Sequence, residues 1–204
     1  KELLNFCLLD LSAFYFDIRK DTLYCDETKS PKRKMCINLL GLILDMLLKW
    51  FAPILSFTTE EIFQIINQEK NTSIHLQKFP TIPSKWKNEK LFEKWEKLRE
   101  VRNVANAAIE IKRSNKDIGS SLEADIKIYL SEEYLKFVKG VDLSEYFITS
   151  KAEAKKMIND NSLFQLGEKE GVKISVQKAA GNKCPRCWKI LKDPCARNNC
   201  GLKN

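Results

Sequence analysis

At 204 residues, 44% hydrophobic and 30% charged, the chain carries enough apolar material for a folded core and too much for an intrinsically disordered segment. Its net charge of +8 is not spread evenly: residues 173–204 hold eight basic groups against one acidic, a concentration that points to a phosphate-bearing partner, a nucleic acid. Seven glycines and six prolines leave little room for long loops, and apolar residues recurring at helical spacing make the fold mainly α.

Taken in order, Leu4, Leu8, Leu11, Tyr15 and Ile18 recur at intervals of four and three, which predicts one buried face of a first helix running to about Tyr24. Ser30 and Pro31 then supply an N-cap and a first helical residue. The helix they open, to about Phe51, is apolar nearly all round (Leu39, Leu40, Leu42, Ile43, Leu44, Met46, Leu47, Leu48) and is expected to be the central member of a bundle. Asn38, Asp45, Lys49 and Pro53 interrupt its apolar run, so no membrane span is expected. Thr58-Thr-Glu-Glu61 reads as the cap of a third helix, whose buried face is Ile62, Phe63, Ile65 and Ile66. Ser73-Ile-His-Leu76 reads as a short extended piece, and Phe79-Pro-Thr-Ile-Pro83 as a rigid connector. His75 is the only histidine and lies far from any cysteine or carboxylate cluster, so no catalytic or metal role is expected of it.

A long helix over 88–112 follows, with Leu91, Trp95, Leu98, Val101, Ala105 and Ala108 on one side. After residue 120 the period changes to two. Leu122, Ala124, Ile126, Ile128 and Leu130 alternate with polar residues, predicting a half-buried strand. A short helix from Ser131, an extended Tyr146-Phe-Ile-Thr149 and a second strand at Val172, Ile174 and Val176 complete a small α/β unit, while residues 151–171 fit no pattern. The expected organisation is a helical domain over 1–119, incomplete on its N-terminal side, an α/β subdomain over 120–181 and a metal-binding tip over 182–204.

Seven cysteines divide in the same way. Cys7, Cys25 and Cys36 lie scattered among apolar helical residues and read as small buried hydrophobes. Cys184, Cys187, Cys195 and Cys200 fall within 17 residues. The chain opens on Lys1 without the features of a secretory signal, so a cytoplasmic location is expected, and there a cysteine cluster is a metal site more often than a disulfide pair. Four thiolates close a tetrahedral shell, leaving no position for water or substrate, which makes the expected cofactor one structural zinc ion. The second pair remains open to a reading as free thiols. Arg186 and Trp188, flanked by Lys183 and Lys189, place a guanidinium and an indole on one turn, a combination that stacks on bases and pairs with phosphate in single-stranded RNA. Packing of Trp188 against the α/β unit is the alternative. Arg19, Lys20, Lys32, Arg33 and Lys34 are further basic candidates.

Gly181-Asn-Lys-Cys-Pro-Arg-Cys-Trp188 resembles the C-terminal zinc motif of bacterial isoleucyl-tRNA synthetases. Asn5 through Tyr24, Ala52 through Ile62, Ser73-Ile-His-Leu76, Ile118 through Ala124 and Val172-Lys-Ile-Ser-Val176 resemble the same family in the same order. The resemblance implies a class I synthetase whose helical bundle binds the anticodon stem-loop of isoleucine tRNA, with Cys184 and Cys187 as zinc ligands and Arg186 and Trp188 on the anticodon loop. It implies a monomer working with catalytic and editing domains of the same polypeptide. One departure is plain: the family's second pair is Cys-x-x-Cys after a longer spacer, whereas here seven residues separate the pairs and four residues lie between Cys195 and Cys200. The HIGH and KMSKS signatures of class I synthetases do not occur, so no catalytic residue is expected here, and ATP and Mg²⁺ belong to the full-length enzyme. The other readings are a zinc-finger module that binds DNA and a helical protein-interaction domain with a structural zinc. The first would need a catalytic N-terminal residue and a longer finger, the second a less basic tip.

Overall fold

A computed structural model describes residues 1–67, 72–167, 170–193, 195 and 197. It is a mostly helical chain with a small mixed sheet and a cysteine cluster near the C-terminus. Contacts gather it into two compact units, Lys1–Glu27 with Glu89–Asn204 and, between them in sequence, Thr28–Asn88. This grouping does not follow the expected boundaries at 119 and 181. Among the described residues no helix is long and apolar enough to cross a membrane.

The first unit opens with a continuous helical rod: α1 (Glu2–Asn5), a π-helical segment (Phe6–Phe16) and α2 (Asp17–Cys25). The wider winding of the middle segment rotates the expected stripe out of line. Leu11 and Ile18 are buried, as anticipated, but Leu4 and Leu8 face outward. Phe14 turns inward in their place, edge-on to Trp95 and to Tyr146, with ring centroids 6.2 and 6.0 Å away.

The long helix α5 (Glu89–Ser114) forms as its periodicity predicts. It buries Leu98, Val101, Val104, Ala105, Ala108 and Ile109 in one core with the strands. Leu91 alone of its expected face is exposed. Strand β1 (Ala124–Leu130) alternates as expected, with Ala124, Ile126, Ile128 and Leu130 inaccessible to solvent. Leu122 falls instead in a 3₁₀ turn, Ser121–Glu123, just before it.

From Ser131 the chain enters α6 (Glu132–Val138) and then α7 (Leu143–Tyr146), whose first turn Asp142 caps by accepting from the Glu145 amide. The extended segment expected at Tyr146–Thr149 is therefore a helical turn, closed by Ile148 at φ +55°. Tyr146 and Phe147 plug the core from it. The strand next to β1 is β2 (Lys151–Lys156), from the stretch that fitted no pattern, and it pairs parallel to β1. Strand β3 (Val172–Lys178), where two-residue alternation placed it, pairs antiparallel on the other side, giving the order β2-β1-β3.

The second unit holds α3 (Pro31–Phe51) and α4 (Ser56–Ile66). Ser30 caps α3 as expected, accepting from the Arg33 amide with Pro31 in the first turn. Replacing it (Ser30→Ala) should lower the stability of this unit by about 1 kcal/mol, the usual cost of a lost N-cap. Denaturant titration followed by helical circular dichroism reads the loss, and Ser30→Asp should restore it. The expected central role of α3 does not hold. Only Cys36 and Leu48 on it are buried, and Met35, Ile37, Leu39, Leu42 and Leu44 are exposed. Among the described residues of the unit, α4 and the 3₁₀ turn at Ile74–Leu76 pack on this helix, and Leu48, Ala52, Phe63 and Ile74 form a small separate core.

Helix α4 begins two residues before the expected cap. Thr58 therefore lies inside the helix, whose N-cap position is Leu55 without a side-chain cap, and the Thr59 hydroxyl donates backward to the Leu55 carbonyl (2.9 Å). Phe63 is buried and Ile62 packs beside it, whereas Ile65 and Ile66 are exposed. Ser73-Ile-His-Leu76 is not extended: Ile74–Leu76 is a 3₁₀ turn. The Glu60 carboxylate fixes it by accepting from the Ile74 amide (2.9 Å) and the Ser73 hydroxyl (2.8 Å).

Candidate functional site

Beyond β3 the chain turns at Gly181 into a two-stranded hairpin, β4 (Asn182–Lys183) and β5 (Ile190–Leu191). Gly181 sits at φ +136°, and a Cβ there would lie 2.1 Å from the Leu191 carbonyl oxygen, so only glycine allows the two strands to meet. The Ser150 hydroxyl accepts from the Ile190 amide (2.6 Å) and itself donates to the Leu122 carbonyl, fastening the hairpin to the sheet.

Between the hairpin strands, Cys184 to Lys189 form a knuckle. The Cys184 amide donates to the Lys189 carbonyl and the Trp188 amide donates to the Cys184 carbonyl, each at 2.9 Å. Trp188 closes this turn at φ +62°, a left-handed conformation that costs a bulky side chain about 1–2 kcal/mol. Its indole is nonetheless 60% exposed.

The sulfurs of Cys184, Cys187 and Cys195 lie within 4.8 Å of one another, the first two buried and the third half-buried. Among the described residues this is the group of histidines, cysteines and carboxylates placed to hold a metal ion. Cys200, the fourth expected ligand, lies outside the described residues. His75 is exposed and is not a member of that group. Cys25, expected to be merely a buried hydrophobe, is buried against Cys184 and Cys187. Burial, reinforced by the Asp21 charge beside it, pushes its thiol pKa up.

The knuckle is docked on the C-terminal end of α2. Arg197 forks both oxygens of Asp21 (2.9 and 2.6 Å) and reaches Asp26 through Nε at 3.1 Å. Burial works to raise the pKa of the Asp21 carboxyl, but the Arg197 hydrogen bonds and charge, joined by Lys189 at 3.9 Å, outweigh it and hold the group below the ordinary aspartate range. The same fork raises the pKa of Arg197. Arg186 donates through Nη2 to the Tyr24 carbonyl at 2.7 Å.

Three of the four expected RNA-contacting residues therefore also bind the protein itself: Arg186 at Tyr24, Lys189 at Asp21 and Lys183 at Glu123 (3.6 Å). Trp188 is displayed outward. Of the basic candidates on the first helix, Arg19 pairs with Glu145 (2.9 Å) and Lys20 with Asp17 (2.7 Å).

Asp21, Asp26, Cys25 and Arg197 are site residues that sequence reasoning passed over. A signal was present: Asp21 and Asp26 stand near the carbonyl end of a helix whose last turn carries no basic residue, where the dipole disfavours carboxylates. Such a mismatch calls for a cation from elsewhere in the chain.

The helical part of the chain, with the start of the sheet, matches a known family. The chain belongs to the anticodon-binding domains of tRNA ligases, the family that matches residues 1–128. Over more of its length it is similar to isoleucine–tRNA ligases. The protein of that name from Pelagibacter ubique is 50% identical over 199 residues, which are 98% of this chain and 21% of that protein. Those from Bradyrhizobium diazoefficiens and Bartonella henselae are 46% and 41% identical over 89% and 95% of this chain, and 18% and 20% of theirs. The chain thus spans about a fifth of the length of the curated relatives it matches.

Proposed function

We propose that this chain is the tRNA-recognition part of an isoleucine–tRNA ligase. It binds the anticodon stem-loop of isoleucine tRNA, so that a catalytic domain in another part of the polypeptide can form isoleucyl-tRNA from ATP, isoleucine and tRNA. The observation that carries this reading is Trp188, a large aromatic kept at a strained turn position where glycine would be easier, and kept exposed. An indole that costs stability and buries little is there for a ligand. Bases stack on it, with Arg186, Lys183 and Lys189 supplying positive charge alongside.

The cysteines hold one structural zinc ion. A Zn–S bond of about 2.3 Å puts tetrahedral sulfurs about 3.8 Å apart, and the three sulfurs of Cys184, Cys187 and Cys195, all within 4.8 Å of one another, fit that spacing. Cys200 is assigned as the fourth ligand. The ion fixes the knuckle and has no catalytic duty, and ATP and Mg²⁺ belong to the catalytic domain.

Functionally the chain divides into a stem-loop-binding part over 1–119, a carrier over 120–181 and the reading tip over 182–204. It acts as a monomer in the cytoplasm. The exposed leucines and isoleucines of α3 are apolar surface suited to the catalytic and editing domains of the same polypeptide.

Titration of a labelled isoleucine tRNA transcript tests the reading. Binding should be salt-sensitive and weaker for a transcript with an altered anticodon. Trp188→Ala should cost about 1–3 kcal/mol of tRNA affinity, the scale of one lost base stack. Trp188→Gly should lose as much affinity while holding metal at least as firmly, because glycine adopts the positive φ without strain. Equal affinity for duplex DNA, or unaltered tRNA affinity in both variants, would overturn the reading.

A further inference from the structure

From the docking of the knuckle on α2 we infer that Tyr24 is a second base-stacking residue of the same RNA site, taking the unstacked nucleobase next to the one held by Trp188. The inference rests on the proposed reading of the anticodon loop and extends it to a residue on a different element.

Trp188 lies in the chain between two residues that touch α2. Arg186 binds the Tyr24 carbonyl at 2.7 Å, and Lys189 approaches Asp21 at 3.9 Å. Asp21 and Tyr24 are three residues apart on the helix, hence neighbours on one flank. The knuckle is therefore pinned to that end of α2 from both sides of Trp188 in sequence, through Arg186 and Lys189. Tyr24 is 75% exposed, so its ring and the indole are both presented to solvent where helix and knuckle join.

The charges around them suit a polyanion. Asp21 and Asp26 would repel phosphate if bare, but Arg197 binds both and Lys189 adds to Asp21. With Arg186 the junction carries three cations against two carboxylates. Two exposed aromatic faces on a surface of net positive charge make a platform for successive bases of a single strand, because every base offers a π-face whereas a paired duplex does not.

The test is fluorescence anisotropy of the whole chain with a labelled anticodon stem-loop of isoleucine tRNA at fixed salt. The proteins compared are the parent, Trp188→Ala, Tyr24→Ala and Tyr24→Phe. Tyr24→Ala should weaken binding about five- to a hundred-fold, with helical content and metal content unchanged, and Tyr24→Phe should stay within about two-fold of the parent. If Trp188→Ala weakens binding and Tyr24→Ala does not, this inference falls and the anticodon reading stands. If neither variant changes affinity, the anticodon reading itself falls. If Tyr24→Phe is as weak as Tyr24→Ala, the hydroxyl rather than the ring makes the contact, and stacking is refuted.

Discussion

If the cysteine cluster holds the proposed zinc, Cys184→Ser is expected to release it and detach the knuckle from the end of α2, while the sheet and α5 stay folded. Cys184 is nearly inaccessible and shares its sulfur cluster with Cys187 and Cys195. A serine oxygen there is a poor replacement for a thiolate in a shell of soft donors. Structural zinc contributes on the order of 10–16 kcal/mol of apparent free energy in small finger peptides, and the knuckle's own apolar burial is small, a sulfur cluster behind a two-pair hairpin. Once the metal leaves, Arg186 and Arg197 have no fixed positions from which to bind Tyr24 and Asp21. Affinity for isoleucine tRNA should therefore fall by at least the Trp188 contribution of about 1–3 kcal/mol. The main core of the first unit includes no residue of the knuckle, so the thermal transition of the sheet should hardly move. Metal analysis and anisotropy check the two halves of this expectation. Cys25→Ser is the control: Cys25 packs on the cluster without belonging to the sulfur group, and zinc content should survive its loss. A zinc stoichiometry unchanged in Cys184→Ser would remove that residue from the ligand set.

The clasp on α2 is a contact between residues 176 positions apart in the chain, which is why composition and spacing revealed the knuckle but not its seat. Cys-x-x-Cys spacing is local chemistry, legible from the residues alone. That Arg197 would find Asp21 depends on the whole path of the chain between them. The same contrast runs through the fold. Strand β1 announced itself because the alternating burial of Ala124, Ile126, Ile128 and Leu130 is written in the alternation of residue types. Strand β2, with the sequence Lys-Ala-Glu-Ala-Lys-Lys, has only alanines to turn inward and owes its conformation to parallel pairing with β1. Local propensity cannot show such pairing.

Two helices depart from their sequence patterns for different physical reasons. The spacing of Leu4, Leu8 and Leu11 presumes 3.6 residues per turn, and the π-helical segment over Phe6–Phe16 breaks that presumption. Helix α3 is apolar on nearly every side, yet burial requires neighbours, and among the described residues its unit packs Leu48 and little else of it into a core. An apolar surface marks what a helix could bury, not what it does bury within one chain.

Ile128→Ala should separate stability from recognition in the opposite sense to Trp188→Ala. Ile128 is inaccessible on the central strand, across from Ala154 on β2 and Ile174 on β3. It lies in the core that also holds Val101, Val104 and Ala105 of α5. Removing three carbons from such a site costs about 2–5 kcal/mol, the lost transfer energy plus the cavity left behind. For a chain of this size that is about 4–20 °C in Tm. The knuckle depends on this sheet at both ends: Ser150, just before β2, holds the Ile190 amide, and β3 leads directly toward Gly181 and β4. Unfolding of the sheet therefore removes the anchor and the approach together, and tRNA binding should be lost over the same temperature range as the sheet. Well below that range the knuckle keeps its geometry, so Ile128→Ala should bind isoleucine tRNA with parental affinity. A melt followed in parallel by circular dichroism and by anisotropy of labelled tRNA measures both. If binding were lost well before the sheet melts, or were already weakened in the cold, the sheet would be shaping the RNA surface rather than carrying the knuckle that displays it.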